Sequence, residues 1–199
     1  MATLIPSADK SNGYEEFAEH FMRARNVRIG PPTVKEWSKS LPRGSAILDL
    51  GCGSGMPISQ ALAEEGFQLY GVDASEKMIR AFRSRFPSAP AECVGAEDSA
   101  FFHRTFEGVI AWGLIFLLPE DLQRIVLIRA ASALAAGGLL LFTSPEEPVT
   151  WNDSITGRES RSLGARVYDD LLQSAGLTVT WHTVDEGENY YYFAIKPVS

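Results

Sequence analysis

The sequence predicts a doubly wound α/β domain, and three observations support this prediction. From residue 46 onward, short runs of branched and aromatic apolar residues alternate with segments whose apolar residues recur at helical spacing. Glycine or proline stands at many of the boundaries between these segments. Near the C-terminus, two apolar runs at 177–182 and 190–196 are separated only by a polar turn. Alternating strands and helices indicate parallel pairing through right-handed crossovers, and the last two runs indicate an antiparallel hairpin.

The first half of the chain is predicted to hold two N-terminal helices and then the first three strands with their helices. The elements are a helix over Tyr14–Arg25, a helix through Val34, Trp37 and Leu41, a strand at Ala46–Leu50, a helix through Ile58 and Leu62 that ends at Gly66, a strand at Phe67–Val72, a helix from Ser75 that ends at Pro87, and a strand at Ala91–Val94.

The second half continues the alternation and then changes pattern. The elements are a strand at Phe106–Trp112, a helix from Pro119 that buries Leu122, Ile125, Val126, Arg129, Ala133 and Leu134 and stops at Gly137-Gly138, a strand at Leu139–Thr143, a helix near Ala165–Ala175, and strands at Leu177–His182 and Tyr190–Lys196. The connection from Ser144 to Gly164 has no predicted element, and loops of that length are commonly functional or mobile.

Composition excludes several classes of protein. The 199 residues suffice for one domain with a substantial core, and no apolar run approaches the roughly 18 residues of a membrane helix. The net charge of −7 argues against sequence-independent nucleic-acid binding. No signal-peptide pattern opens the chain, and Cys52 and Cys93 are expected to be free thiols, so we expect a cytoplasmic protein without a metal site. The oligomeric state stays open.

The stretch ILDLGCGSG, residues 47–55, carries the main functional signal. Gly51, Gly53 and Gly55 follow a predicted strand and precede a predicted helix, where glycine lets a ligand approach the main chain and the helix N-terminus favours an anionic group. Asp73 ends the next strand, where its carboxylate is placed to accept hydrogen bonds from ribose hydroxyls. Together these features indicate a nucleoside ligand.

The motif DLGCGSG followed by GVDAS resembles the first two motifs of class I S-adenosylmethionine-dependent methyltransferases. VGAEDS, FEGVIAWGLIFLL and LAAGGLLLFTSP resemble the third-strand, fourth-strand and fifth-strand segments of that family, so the resemblance covers about residues 44 to 145. The spacing of the glycines does not match the G-x-G-x-x-G fingerprint of an NAD(P)-dependent oxidoreductase, which is the weaker alternative.

The resemblance implies a Rossmann-like, seven-stranded sheet whose last strand runs antiparallel to the others. It also implies that residues 1–43 form a helical cap over the cofactor site and that residues 44–199 form the methyltransferase domain. S-adenosyl-L-methionine would be the cofactor, and the reaction would be in-line methyl transfer to an oxygen or nitrogen of a small-molecule acceptor. A non-catalytic protein that binds the same cofactor is the second alternative.

The resemblance also assigns cofactor roles to particular residues. Gly51, Cys52 and Gly53 would approach the amino-acid half, with Asp49 near its amino group and Arg25 near its carboxylate, and Tyr14 would cover the cofactor. Asp73 would hold the ribose, Ala74 and Met78 would pack on the adenine, Ala96 with Glu97 or Asp98 would lie at the adenine edge, and Trp112, Gly113 and Leu114 would form the floor.

The acceptor side is less well specified by the sequence. Neither the N/D-P-P-Y/F box of amino-methylating DNA enzymes nor a Pro-Cys pair occurs, which favours a small-molecule acceptor and no nucleic acid. Weak catalytic candidates are His20, His103 and Glu146, each with a structural role or simple solvation as the alternative. Residues 151–164 are predicted to be an acceptor lid or else a plain surface loop, with acceptor-side candidates at Trp151, Asp153, Arg158, Tyr190 and Tyr192.

Overall fold

A computed structural model describes residues 9–198. Residues 1–8, which belong to the predicted cap and to the stretch that lacks a signal-peptide pattern, lie outside the described residues. The helices are α1 (Tyr14–Ala24), α2 (Pro31–Ser38), α3 (Ile58–Glu64), α4 (Glu76–Arg85), α5 (Glu120–Ala133) and α6 (Ala165–Ser174). The strands are β1 (Ala46–Leu50), β2 (Gln68–Asp73), β3 (Ala91–Cys93), β4 (Phe106–Ala111), β5 (Leu134–Thr143), β6 (Val149–Asn152), β7 (Glu159–Ser162), β8 (Thr178–Val184) and β9 (Tyr190–Ile195).

Seven strands form one sheet in the order β3-β2-β1-β4-β5-β9-β8. The strands β1 to β5 pair in parallel, and β9 runs antiparallel to both β5 and β8. This arrangement confirms the predicted Rossmann-like sheet with its antiparallel C-terminal strand. The chain order reverses at β1, which lies between β2 and β4, and open α/β sheets bind their ligands at the carboxyl ends of strands at such a point.

Helices cover both faces of the sheet, and each face has its own apolar core. On one face, α5 and α6 pack against residues such as Phe142 and Tyr192. On the other face, α2, α3 and α4 pack against residues such as Ile47 and Tyr191. Both faces of the parallel strands are therefore buried, which is why those strands appear in the sequence as continuous apolar runs.

Helix α1 lies across the carboxyl edge of the sheet and is attached to the start of α4. The carboxylate of Glu15 accepts hydrogen bonds from the Ser75 hydroxyl (2.6 Å) and from the Lys77 main-chain N–H (3.1 Å). A carboxylate at this position also interacts favourably with the positive end of the α4 dipole. The attachment fixes α1 next to the loop that follows β2.

The buried face of α5 differs from the predicted one. Ile125 is 43% exposed, whereas Gln123 is fully buried. The Gln123 amide donates to the main-chain oxygens of Leu118 and Arg161, and its Oε1 accepts the Tyr168 hydroxyl, so a polar side chain is stabilised in the core. The helix also ends at Ala133, before the Gly137-Gly138 pair that was expected to stop it, and Leu134 already belongs to β5.

The predicted structureless connection from Ser144 to Gly164 contains a β-hairpin. Strands β6 and β7 pair antiparallel, with Trp151 opposite Ser160, and form a two-stranded sheet of their own. The strands were missed because their sequences, VTWN and ESRS, are short and largely polar. Of the helices within residues 9–198, none has the length and apolar character to cross a bilayer.

Candidate functional site

A cleft lies at the carboxyl ends of β1, β2 and β4 and is covered by α1. Apart from Asp98, the alternative to Glu97, every residue predicted to hold the cofactor lines this cleft. They are Tyr14, Arg25, Asp49, Gly51, Cys52, Gly53, Asp73, Ala74, Met78, Ala96, Glu97, Trp112, Gly113 and Leu114. Residues that are far apart in sequence thus meet at the edge where the strand order reverses.

The three glycines after β1 have different surroundings. The main-chain N–H of Gly51 donates to the Val72 oxygen at 2.8 Å, which ties the loop to β2. Gly53 has φ of +53°, and a Cβ there would meet nothing closer than the Met78 sulfur at 3.9 Å, so it borders open cleft. A Cβ at Gly55 would lie 2.3 Å from the Phe86 ring, so that glycine permits close packing. Gly53 is therefore the glycine that exposes main chain to a ligand.

Asp73 is anchored by main-chain hydrogen bonds at the end of β2. Its Oδ2 accepts the Gly53 N–H and its Oδ1 accepts the Ser75 N–H, both at 2.8 Å. Burial raises the pKa of this carboxyl, and the two hydrogen bonds oppose that effect. Each oxygen keeps a further lone pair, so a fixed carboxylate can accept two hydroxyl groups from a ligand.

At the other end of the cleft, a buried acid lies near a half-buried base. Asp49 is 2% exposed and accepts the Ser59 hydroxyl, and burial raises its pKa to about 7. The Arg25 guanidinium lies over the Trp112 ring at 4.2 Å and near the Phe21 ring at 4.7 Å. Burial lowers the Arg25 pKa to about 10, and its Nε is buried without a hydrogen-bond partner among the described residues. These groups suit the ammonium and carboxylate of an amino-acid ligand.

The end of the cleft that was predicted to hold the adenine distinguishes Glu97 from Asp98. Glu97 lines the cleft and its side chain, 9% exposed, pairs with Lys10 at 3.0 Å. The Asp98 side chain is 52% exposed and is not part of the cleft lining. Arg129 fixes this loop by donating to the main-chain oxygens of Glu97 and Ser99.

Several residues of the site were missed from the sequence. Asn12, Phe21, Phe116 and Asn189 also line the cleft. Behind it, Trp112 Nε1 donates to the Tyr191 hydroxyl at 2.8 Å, and Tyr191 donates to buried Asp185 at 2.7 Å. The only sequence signal for Tyr191 is its place between two other tyrosines, where strand alternation puts it on the opposite face from both.

The hairpin β6–β7 contributes Asp153 to the rim of the cleft. Its Oδ1 accepts the N–H groups of Ile155 and Thr156 at 3.0 and 2.8 Å, which shapes the hairpin turn. Its Oδ2 accepts the Tyr14 hydroxyl at 3.2 Å, and burial raises the pKa of that tyrosine. Asp153 therefore joins the hairpin to α1 above the cleft.

A second depression, which we call the acceptor-side groove, opens from the cleft. It is lined by Phe116, Thr143, Ser144, Pro145, Glu146, Glu147, Trp151, Asp153, Val184, Glu188, Asn189 and Tyr190. Phe116, Asp153 and Asn189 line both the groove and the cleft, so the two spaces are adjoining. The Trp151 and Phe116 rings pack with centroids 5.5 Å apart and form an aromatic wall.

The comparison with known protein families identifies this combination of fold and cleft. Residues 47–138 match the model of a family described as a methyltransferase domain. The match covers β1 to the start of β5 and therefore the residues that form the cleft floor. The match, the fold and the cleft together support a class I S-adenosylmethionine-dependent methyltransferase. S-adenosyl-L-methionine is the cofactor of this class.

Relatives with curated names agree with this assignment. The chain is 27% identical over 169 residues to a ubiquinone biosynthesis O-methyltransferase of Bordetella pertussis, covering 77% of this chain and 66% of the relative. It is 30% identical over 165 residues to a trans-aconitate 2-methyltransferase of Variovorax paradoxus, covering 72% and 62%. The matched part of the chain thus spans slightly less than two thirds of either relative.

A solved structure supports the fold independently. The magnesium protoporphyrin IX methyltransferase of Synechocystis PCC 6803, crystallised with S-adenosylmethionine, superposes with a TM-score of 0.74 over 98% of this chain and all of that one. The sequence identity is 18%, so this likeness concerns the fold alone.

The predicted catalytic candidates of the methyltransferase lie in different places. His20 is exposed on α1, and His103 borders a separate surface depression beside Arg104. Glu146 is exposed and lines the acceptor-side groove. No histidine among residues 9–198 lines the cleft or the groove, and no cluster of His, Cys, Asp or Glu within that range is arranged to hold a metal.

The residues predicted to lie near the acceptor also fall into two groups, those that line the groove and those that do not. Trp151, Asp153 and Tyr190 line the groove, whereas Arg158 pairs with Asp9 on the surface at 2.9 Å and lines neither space. The expectation for Tyr192 is corrected by its burial. Its ring is fully buried against Phe142 in the α5–α6 core and its hydroxyl donates to the Pro145 oxygen, whereas Tyr190, on the same face of β9, lies at the start of the strand and is only partly buried.

Proposed function

We propose that this methyltransferase transfers the methyl group of S-adenosylmethionine to an oxygen or nitrogen of a small-molecule acceptor. The observation that carries the proposal is the adjoining pair of spaces, since a cofactor cleft opens directly into a groove with its own walls. When bound, the cofactor supplies a methyl group on a sulfonium centre, which is a good leaving group for in-line displacement.

In this proposal, the two ends of the cleft hold the two ends of the cofactor. Asp73 accepts the ribose hydroxyls, while Ala74, Met78 and Ala96 enclose the adenine with Glu97 at its edge. Asp49 pairs with the ammonium and Arg25 with the carboxylate of the amino-acid half. Gly113 and Leu114 line the cleft between these two ends and would lie beside the reactive centre of the bound cofactor.

The chain contributes to catalysis mainly by positioning the reactants. Phe116, Asp153 and Asn189 stand where the cleft meets the groove, so an acceptor held against them lies next to the methyl group. Orientation of this kind can supply several kcal/mol, roughly 7–11 at best, without a nucleophilic side chain. Residues 9–43, the described part of the predicted 1–43 cap, would exclude water because α1 covers the cofactor.

The test is methyl-label transfer together with product analysis. The protein is incubated with methyl-labelled S-adenosylmethionine and a fractionated metabolite extract, and both S-adenosylhomocysteine and labelled product are measured. We expect both to form in equal amounts and to be absent with a Gly53→Val variant that stays folded. Tight cofactor binding without either product would instead favour the non-catalytic binding protein.

A further inference from the structure

The acceptor-side groove carries information about acceptor charge, and this inference rests on the proposed function. We infer that the acceptor is a cationic amine attached to an apolar or aromatic body, and that its nitrogen is the methylated atom. The groove is recognised as the acceptor site by its opening onto the cofactor cleft, not by its charges. Its charges and rings then define what it can hold.

All ionised side chains of the groove have the same sign. Four carboxyl side chains line it, from Glu146, Glu147, Asp153 and Glu188, and no lysine, arginine or histidine does so among residues 9–198. None of these four carboxylates forms an ion pair within the described part of the chain. Because like charges concentrated in a concave site attract counter-charge and repel their own sign, the groove favours a cation and opposes a carboxylate or phosphate acceptor.

The lysine and arginine side chains near the two spaces already interact with other groups. Arg158 pairs with Asp9, and Lys10 pairs with Glu97 at the adenine end. Arg25 lies between the Phe21 and Trp112 rings in the cleft. None of these side chains lines the groove.

The aromatic wall supports the same assignment. The Phe116 and Trp151 rings pack at 5.5 Å, and Tyr190 is held nearby by a hydrogen bond to Glu146 at 3.4 Å. Aromatic faces attract cations through their quadrupole, and they also bury an apolar body. A groove with ring faces and unpaired carboxylates thus matches both parts of an organic amine.

Asp153 places the charge beside the reactive centre. Its Oδ1 accepts hydrogen bonds within the hairpin turn, its Oδ2 accepts the Tyr14 hydroxyl as its one partner among residues 9–198, and the residue lines both spaces. An ammonium at this oxygen would lie where the cleft meets the groove. In the transfer, the ammonium loses a proton to water in the open groove, the nitrogen lone pair forms the new N–C bond, and the C–S bond breaks with its electron pair left on sulfur.

The test compares three probes of similar size in the presence of saturating S-adenosylhomocysteine. Phenethylammonium, phenethyl alcohol and phenylacetate are titrated into the intact protein, with binding followed by tryptophan fluorescence and calorimetry. We expect phenethylammonium to bind at least about tenfold more tightly than phenylacetate, with the alcohol between them. Equal or tighter binding of phenylacetate, or no phenethylammonium binding up to tens of millimolar, would overturn the inference.

A double variant connects the preference to the groove. Glu146→Gln with Glu188→Gln should reduce the ratio of the two affinities at least about threefold, because two negative charges leave the groove while side-chain size is kept. Glu186→Gln is the matched control, since Glu186 is exposed in the same β8–β9 turn but does not line the groove. A ratio unchanged in the double variant would count against the inference. Retained S-adenosylhomocysteine binding separates these outcomes from a failure of the proposed function.

Discussion

The cofactor cleft and the acceptor-side groove are built in different ways. The cleft forms at the ends of adjacent strands, and its central hydrogen bonds join main chain to side chain, as between Gly53 and Asp73. The groove draws on separated segments, at 143–147, 151–153 and 184–190 together with Phe116, and its walls are side chains. The cleft is lined by charged side chains of both signs, whereas those of the groove are all acidic. The cleft is thus set by the order of the strands, whereas the groove, which we propose receives the acceptor, depends on side chains from separate segments.

The largest loss of cofactor binding is expected when a side chain is added at Gly53. We expect Gly53→Val to abolish cofactor binding, because the new Cβ and its methyl groups would occupy open cleft and a β-branched residue is strained at φ of +53°. Calorimetric titration measures cofactor binding, and circular dichroism shows whether the variant is folded. Gly66→Val is the control, since Gly66 also has positive φ, +87°, but has open space around it and lies outside the cleft. Binding retained by a folded Gly53→Val protein would contradict the proposed contact.

Removing the Asp73 carboxylate, which we propose binds the ribose, should have the next largest effect. We expect Asp73→Ala to weaken cofactor binding by more than about tenfold, because each lost hydrogen bond to a charged group costs about 1.5–3 kcal/mol. The change also removes the acceptor of the Gly53 N–H, so Asp73→Asn separates the loss of charge from the loss of loop anchoring. Affinities near wild type in both variants would show that the ribose lies elsewhere.

The pH dependence of cofactor binding tests the amino-acid end of the cleft. Burial raises the Asp49 pKa to about 7, so this carboxyl is largely protonated in the free protein below that pH. If the cofactor ammonium pairs with the ionised form, binding must release a proton there, and affinity should rise by up to about tenfold per unit as the pH approaches 7 and then level off. Calorimetric titration in buffers of different ionisation enthalpy measures the number of protons released on binding. Asp49→Asn should remove the release, and an unchanged pH profile in that variant would exclude Asp49 as its source.

The contrast between the cleft and the groove also explains which features could be predicted from the sequence. Gly53 and Asp73 lie in short motifs whose spacing is preserved by the strand–turn–helix unit, so their meeting follows from the parallel topology. The order of strands and helices was predictable for a related reason, since both faces of each central strand are buried and the apolar runs are continuous.

Features that depend on which face a residue presents were harder to predict. Alternation puts Tyr190 and Tyr192 on one side of β9 and Tyr191 on the other, but it does not say which helices cover each side. Only the packing of α2 and α3 near Tyr191 shows that this side leads to Trp112 and the cleft. The buried Gln123 was missed similarly, because its partners Leu118, Arg161 and Tyr168 come from three separate segments.

The smallest expected effect concerns the hairpin that borders the groove, and it separates two roles for Arg158. The pair that Arg158 forms with Asp9 has side chains 44% and 38% exposed, and exposed pairs contribute only about 0–1 kcal/mol. We therefore expect Arg158→Ala to change the free energy of unfolding and the cofactor affinity little, and to speed amide exchange mainly in residues 9–13.

Arg161→Ala is the control for this prediction, because Arg161 pairs with Glu159 in the same hairpin and forms no ion pair with residues 9–13. The prediction that residues 151–164 form a lid requires a different result, because a lid holds the acceptor and closes with it. Amide exchange in this segment would then slow mainly when cofactor and acceptor are both present, and Arg158→Ala would lower acceptor turnover at unchanged cofactor affinity. Faster exchange in residues 9–13 with normal turnover would assign Arg158 to the attachment of the N-terminal segment, and would leave Trp151 and Asp153 as the hairpin residues that face the acceptor.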